Sequence, residues 1–150
     1  MKILKATILN IDKKNKNGRI YSRDILESGS VKYCEEPLFL FDRMPLENET
    51  KPNYENVVGV CLEEYWQNNN TQLTSAFHLM EDKINNIDLT KVYPAMFGTG
   101  VLNANGDVKK FNLGGYALCE NPAYETKIEI VDVDNYVREC SKGVVELYDV

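Results

Sequence analysis

The sequence predicts a single α+β domain over residues 1–150, mainly an antiparallel β-barrel carrying two or three short helices. Three observations carry that prediction. Short stretches of near-period-two apolar alternation recur along the chain, turn-forming Asn-Gly and Asn-rich tetrapeptides separate them, and helix-period stretches are few and brief. Many short strands with few helices favour a curved or closed antiparallel sheet. At 150 residues a real core is accessible without disulfide or metal staples.

The elements follow in order. Residues 2–11 (KILKATILNI) show an imperfect alternation that reads as a half-buried strand. Asn15-Lys16-Asn17-Gly18 is a turn, because Asn and Gly tolerate positive φ. Ser22 caps a short helix, Asp24 sits in its first turn, Ile25 and Leu26 supply the buried side, and Gly29 ends it. Pro37 precedes a short strand, Leu38-Phe39-Leu40-Phe41; from Asp42 to about Asn56 runs the longest loop, with Pro45 and Pro52. Strands at about 56–66 and 71–79 are joined through Asn68-Asn69-Asn70. On the second of these, Leu73, Ser75, Phe77 and Leu79 share one face, and Thr74, Ala76 and His78 the other. A short helix is assigned to 82–91. Strands at about 93–102 and 107–118 flank Asn103-Ala104-Asn105-Gly106, a hairpin signal. A strand at 127–133, a helix at 134–140 and a last strand at 143–149 complete the chain.

Composition excludes several functions. The formal charge of −6 argues against a nucleic-acid partner held by phosphate neutralisation. No apolar run is long enough for a membrane span, and the N-terminal residues lack the pattern of a signal peptide, so a soluble, intracellularly made protein is expected. Cys34, Cys61, Cys119 and Cys140 never approach C-x-x-C spacing, so no metal site is expected and the thiols read as free and mostly buried. His78 is the one histidine, which removes any mechanism needing two imidazoles.

The segment Asn15-Lys16-Asn17-Gly18-Arg19-Ile20-Tyr21, between a first strand and a short helix, resembles the opening of the prohead (head-maturation) proteases of T-even-type bacteriophages. Ser22 stands where that family usually has proline. Later features follow in the family's order: Leu40-Phe41-Asp42-Arg43-Met44-Pro45 at the histidine loop, Asn56-Val57-Val58-Gly59-Val60 with Trp66, Phe97-Gly98-Thr99-Gly100 at the nucleophile strand, and Leu118-Cys119-Glu120-Asn121-Pro122-Ala123 at the close. The resemblance spans roughly residues 2–125 and implies a herpesvirus-assemblin-like fold, a β-barrel wrapped by short helices.

The departures from the family pattern bear on chemistry. Arg43 or Met44 stands at the histidine position, and neither accepts a proton near neutrality. Phe97 and Gly98 stand at the two serine positions, with Thr99 where the family has arginine. A serine nucleophile needs a neighbouring base, so both halves of the machinery are substituted. The expectation is a chain with no catalytic, cofactor-binding or metal residues: a non-catalytic virion protein, auxiliary or decorating, partnered with the major capsid protein or other virion proteins. It would be made in the host cytoplasm and reside in the virion capsid, with a second copy of the chain as a further candidate partner. The alternatives are an active maturation protease with a rearranged centre, using Thr99 or Ser75 with His78, and an internal prohead scaffold or core component.

Other residues have rival readings. Ser75 and His78, three apart on a strand, point to opposite faces, so a surface or half-buried histidine is expected. Asp42-Arg43 reads as a solvated neighbour pair. Glu35-Glu36 and Glu63-Glu64 read as solvated edges, since adjacent strand residues face opposite ways and neither pair makes a dyad by itself. Gly98-Thr99-Gly100 and Gly114-Gly115 lack the context of a phosphate loop and read as bulges or corners. Contact surfaces are expected at the 42–56 loop, at exposed strand edges and at the C-terminal segment 134–150.

Overall fold

A computed structural model describes residues 2–28, 36–40, 54–124, 128–145 and 147–148. Seven strands form one sheet: β1 (Lys2–Asn10), β2 (Pro37–Leu40), β3 (Val57–Gln67), β4 (Gln72–Leu79), β5 (Tyr93–Leu102), β6 (Val108–Cys119) and β7 (Ile128–Asp132). Their spatial order is β5-β6-β2-β3-β4-β1-β7. Among the described residues three short α-helices accompany them: α1 (Arg23–Ser28), α2 (Glu81–Ile84) and α3 (Val133–Cys140). The α+β class therefore holds.

The barrel does not close. Ile8 of β1 and Pro94, Ala95 and Met96 of β5 line one small cleft, so the sheet curls until these strands are neighbours. Among the described residues, β5 and β1 are not hydrogen-bonded partners. The segments around Asn15–Tyr21 and Pro122–Tyr124 occupy the gap between them instead. One pairing is parallel, β2 with β6, where Leu38, Phe39 and Leu40 oppose Tyr116, Ala117 and Leu118. The sheet is thus mixed and open, a correction to the closed antiparallel barrel.

The core lies inside the curl. Leu4, Ala6 and Ile8 of β1, Leu38 of β2, Val58 and Cys61 of β3, Leu73, Phe77 and Leu79 of β4, and Phe111, Tyr116 and Leu118 of β6 pack with Leu26 of α1 and Ile84 of α2. Helix α1 is held at its start by Ser22, whose Oγ accepts from the Ile25 N–H at 3.4 Å, as its capping position predicts. Arg23 lies 5.0 Å from the Trp66 ring centroid, tying the helix to β3. The β3–β4 hairpin turns through Asn68, Asn69 and Asn70, all at positive φ, a conformation that asparagine tolerates better than most residues. Two elements differ from expectation. The 82–91 helix is a single turn at Glu81–Ile84, and the described residues of 143–149 form no strand. β-Structure requires a paired neighbour as well as strand propensity. The expected contact loop at 42–56 lies outside the described residues up to its final turn, Tyr54–Asn56.

Candidate functional site

Two matching turns organise one end of the molecule. Asn15 Oδ1 accepts from the backbone N–H groups of Asn17 (2.9 Å) and Arg19 (3.0 Å), and the Gly18 N–H donates to the Asn15 carbonyl at 3.0 Å. Asn103 repeats the arrangement with Asn105 and Asp107 at 2.9 Å each, closed by the Gly106 N–H at 3.2 Å. The shared Asn-x-Asn-Gly sequence explains the shared geometry: the first side chain satisfies two backbone donors and the glycine takes positive φ, +77° at Gly18 and +88° at Gly106. The turns dock on each other. Ile20 donates to the Gly106 carbonyl and accepts from Val108, both at 2.9 Å. A Cβ on Gly106 would collide with the Gly18 carbonyl oxygen.

The closing Asn-Pro segment meets the same place. Lys16 Nζ donates to the Asn121 carbonyl at 2.8 Å, and the Tyr124 hydroxyl donates to the Lys13 carbonyl at 3.2 Å. Burial and the nearby Tyr21 push the Tyr124 phenol up; burial also raises Tyr21, with Arg19 acting against it. The cleft between these segments and β5 has a volume of about 60 Å³. The hydrogen bonds that join these segments make the opening motif a fold-closing device.

The positions that the resemblance assigns to the nucleophile lie on the outer strand β5. Phe97 packs edge-to-face on Phe39 with centroids 6.0 Å apart, and its ring covers Gly114 and Gly115 of β6, where any Cβ would press on it. The Gly114-Gly115 pair therefore makes room for an aromatic ring, in agreement with a bulge or corner. Gly98 and Thr99 are exposed. The loop carrying Asp42, Arg43 and Met44 lies outside the described residues. Leu40, just before it, is level with Leu118 and, across β6, with Pro94, three residues from Phe97.

Ser75 and His78 are not brought together. Half-buried His78 is opposite Ile3 and Val60, whereas the Ser75 hydroxyl is fully buried and donates to Glu64 Oε1 at 2.8 Å. The Tyr116 hydroxyl donates to the same oxygen, and Glu64 Oε2 is buried without a hydrogen-bond partner among the described residues. Burial, opposed by the Ser75 hydroxyl and reinforced by the neighbouring Glu36 carboxylate, pushes Glu64 up to about 7. This corrects the solvated-edge reading of Glu64. The bulge between Cys61 and Glu63 resets the strand and turns Glu64 inward. Glu63 goes to the other face, where it bonds Tyr136 of α3 and helps raise Lys5; burial acts against that rise, and the Tyr65 and Glu129 interactions outweigh it. Sequence reading missed the Glu36–Glu64–Ser75–Tyr116 cluster because its members come from four stretches of chain. A hydroxyl sealed in a central strand meets no substrate, so the cluster is a polar element of the core.

Cys61 and Cys119 are buried and Cys140 is exposed, and none of the three is in a disulfide among the described residues. Among the described residues no group of His, Cys, Asp and Glu could hold a metal ion, and no helix is long and apolar enough to cross a membrane.

At the level of overall architecture, the fold is similar to that of a bacteriophage capsid assembly protease. It is similar to the bacteriophage T4 capsid assembly protease gp21, with a TM-score of 0.54 and 14% sequence identity, over 80% of this chain and 82% of that one. No family model and no curated protein sequence matches the chain.

Proposed function

We propose that this chain is a non-catalytic phage virion protein, an auxiliary or decoration protein that uses a capsid-protease-like fold to bind the major capsid protein or another virion protein. The observation that carries the reading is Phe97. Where the resemblance calls for a nucleophile, a phenylalanine ring is packed against Phe39 and over two glycines. The sealed state of Ser75 and its bond to Glu64 support the same reading. Binding, rather than cutting, is what a rigid acidic β-domain with exposed strand edges offers a shell of repeated subunits, where many weak contacts add up.

The competing reading is an active protease, because the structural neighbour is one and the Thr99 side chain is exposed on β5. Incubation of the purified protein with unprocessed capsid and scaffold proteins separates the two. No cleavage is expected. Cleavage abolished by Thr99→Ala or His78→Ala would overturn the proposal. Quantitative mass spectrometry of virions is expected to find the chain in many copies; its absence would favour an internal scaffold or core role.

A further inference from the structure

The two outer strands of the sheet differ in charge and match in length. Among the described residues, β5 and β7 have one strand neighbour each, β6 and β1 respectively. Residues 98–102 of β5 are exposed at every position, with Val101 53% and Leu102 50% accessible, and the strand carries no charged side chain. On the neighbouring β6, Lys109 and Lys110 are exposed, and Lys110 stands opposite Val101. Strand β7 is five residues long, with Glu129 and Asp132 exposed and Ile130 39% accessible. Helix α3 does not run along this edge. It turns back across the sheet face, far enough for Tyr136 to bond Glu63 of β3.

An open edge is a template for another strand, and charge decides which strand it takes. Two β7 edges would bring carboxylates together, and two β5 edges would bring lysines together with no acid to balance them. Unlike edges match. In an antiparallel pairing with Val101 opposite Glu129 of a second copy, the faces agree. Val101 shares the face of Lys110, away from buried Phe111, and Glu129 shares the face of Lys5, away from buried Leu4. Glu129 then lies two strand spacings, about 10 Å, from Lys110, a gap that the long lysine side chain narrows. On the other face Ile130 falls opposite Gly100, which has no side chain to displace, and beside exposed Leu102.

We infer that β7 of one copy adds to residues 98–102 of β5 in a second copy, continuing the sheet from molecule to molecule. The contact joins two different edges, so it closes as a ring of copies or grows into a filament. Backbone hydrogen bonds hold the pair, and the match of lysine to carboxylate selects the unlike edge. The inference stands whether or not the chain cleaves peptides.

The test is sedimentation and light scattering of the full chain over a concentration series, in low and high salt, with hydrogen exchange on the same samples. The expected result is concentration-dependent association, weaker in high salt, in which amides of 98–102 and 128–132 gain protection together. Val101→Glu sets an acid against the incoming acidic edge, and Ile130→Lys sets a base against the lysine-flanked one. Each alone should weaken association about tenfold or more. An equimolar mixture of the two variants should associate again, because the β5 edge of the Ile130→Lys chain and the β7 edge of the Val101→Glu chain are both unaltered. A monomer at all concentrations overturns the inference. So does association that either variant leaves unchanged, since like edges would then be pairing, and so does a mixture no stronger than its components. Should a variant fail to fold, exchange in the natural chain decides: protection gained by one strand without the other overturns the inference.

Discussion

The buried Glu64 carboxyl makes stability depend on pH with a sign opposite to that of most acidic side chains. Burial among Ser75, Tyr116 and the nearby Glu36 favours its neutral form in the folded chain, and its pKa rises from 4.5 to about 7. A carboxyl raised on folding costs nothing while protonated in both states. Its penalty grows as pH climbs from the unfolded value through the folded one. At 1.36 kcal/mol per tenfold, this rise corresponds to about 3 kcal/mol lost between pH 4.5 and pH 8. Glu64→Gln is the matching perturbation, since the amide keeps the shape and the acceptor for both hydroxyls but cannot ionise. The variant and the natural chain should be about equally stable near pH 4.5. At pH 8 the variant should be more stable by up to about 3 kcal/mol, a Tm difference on the order of 6–12 °C for a domain of this size. Thermal melts of both proteins from pH 4.5 to 8 measure the difference and cancel every other titrating group. A constant difference across that range, or a variant less stable at pH 8 than at pH 4.5 relative to the natural chain, would refute the burial argument.

Two further substitutions probe the packing. Phe97→Ala removes a half-buried ring from Phe39 and the Gly114-Gly115 platform and should cost about 2 kcal/mol in urea unfolding; a neutral result would mean that the ring does not hold β5 to β6. Gly18→Ala and Gly106→Ala form a matched pair at similar positive φ. The first meets open space and should cost about 1 kcal/mol from its backbone alone, whereas the second also drives a methyl into the Gly18 carbonyl and should cost about 2 kcal/mol or more. Equal losses would show that the twin turns do not dock.

Local chemistry was legible along the chain. The Asn-x-Asn-Gly turns, the Ser22 cap, the long strands and the separation of Ser75 from His78 each depend on a few adjacent residues, and each is present. The resemblance placed on Asn15–Tyr21 and Leu118–Ala123 agrees with a shared architecture, and the two segments meet in space. Helix 82–91 shrank to one turn because too few of its residues find a packing surface, and short helices take their stability from packing.

What the sequence determined by itself was most of the elements and their local chemistry: one imidazole, and Phe97 and Gly98 on the strand to which the resemblance assigns the nucleophile. What only the tertiary structure decided was partnership. Whether β5 closes on β1 and whether Glu64 points inward depend on strands far apart in the chain and on a single bulge that flips side-chain direction. Period-two alternation records that a residue has a buried side, but not which distant strand supplies the burial, because pairing energy resides in contacts that no local window contains.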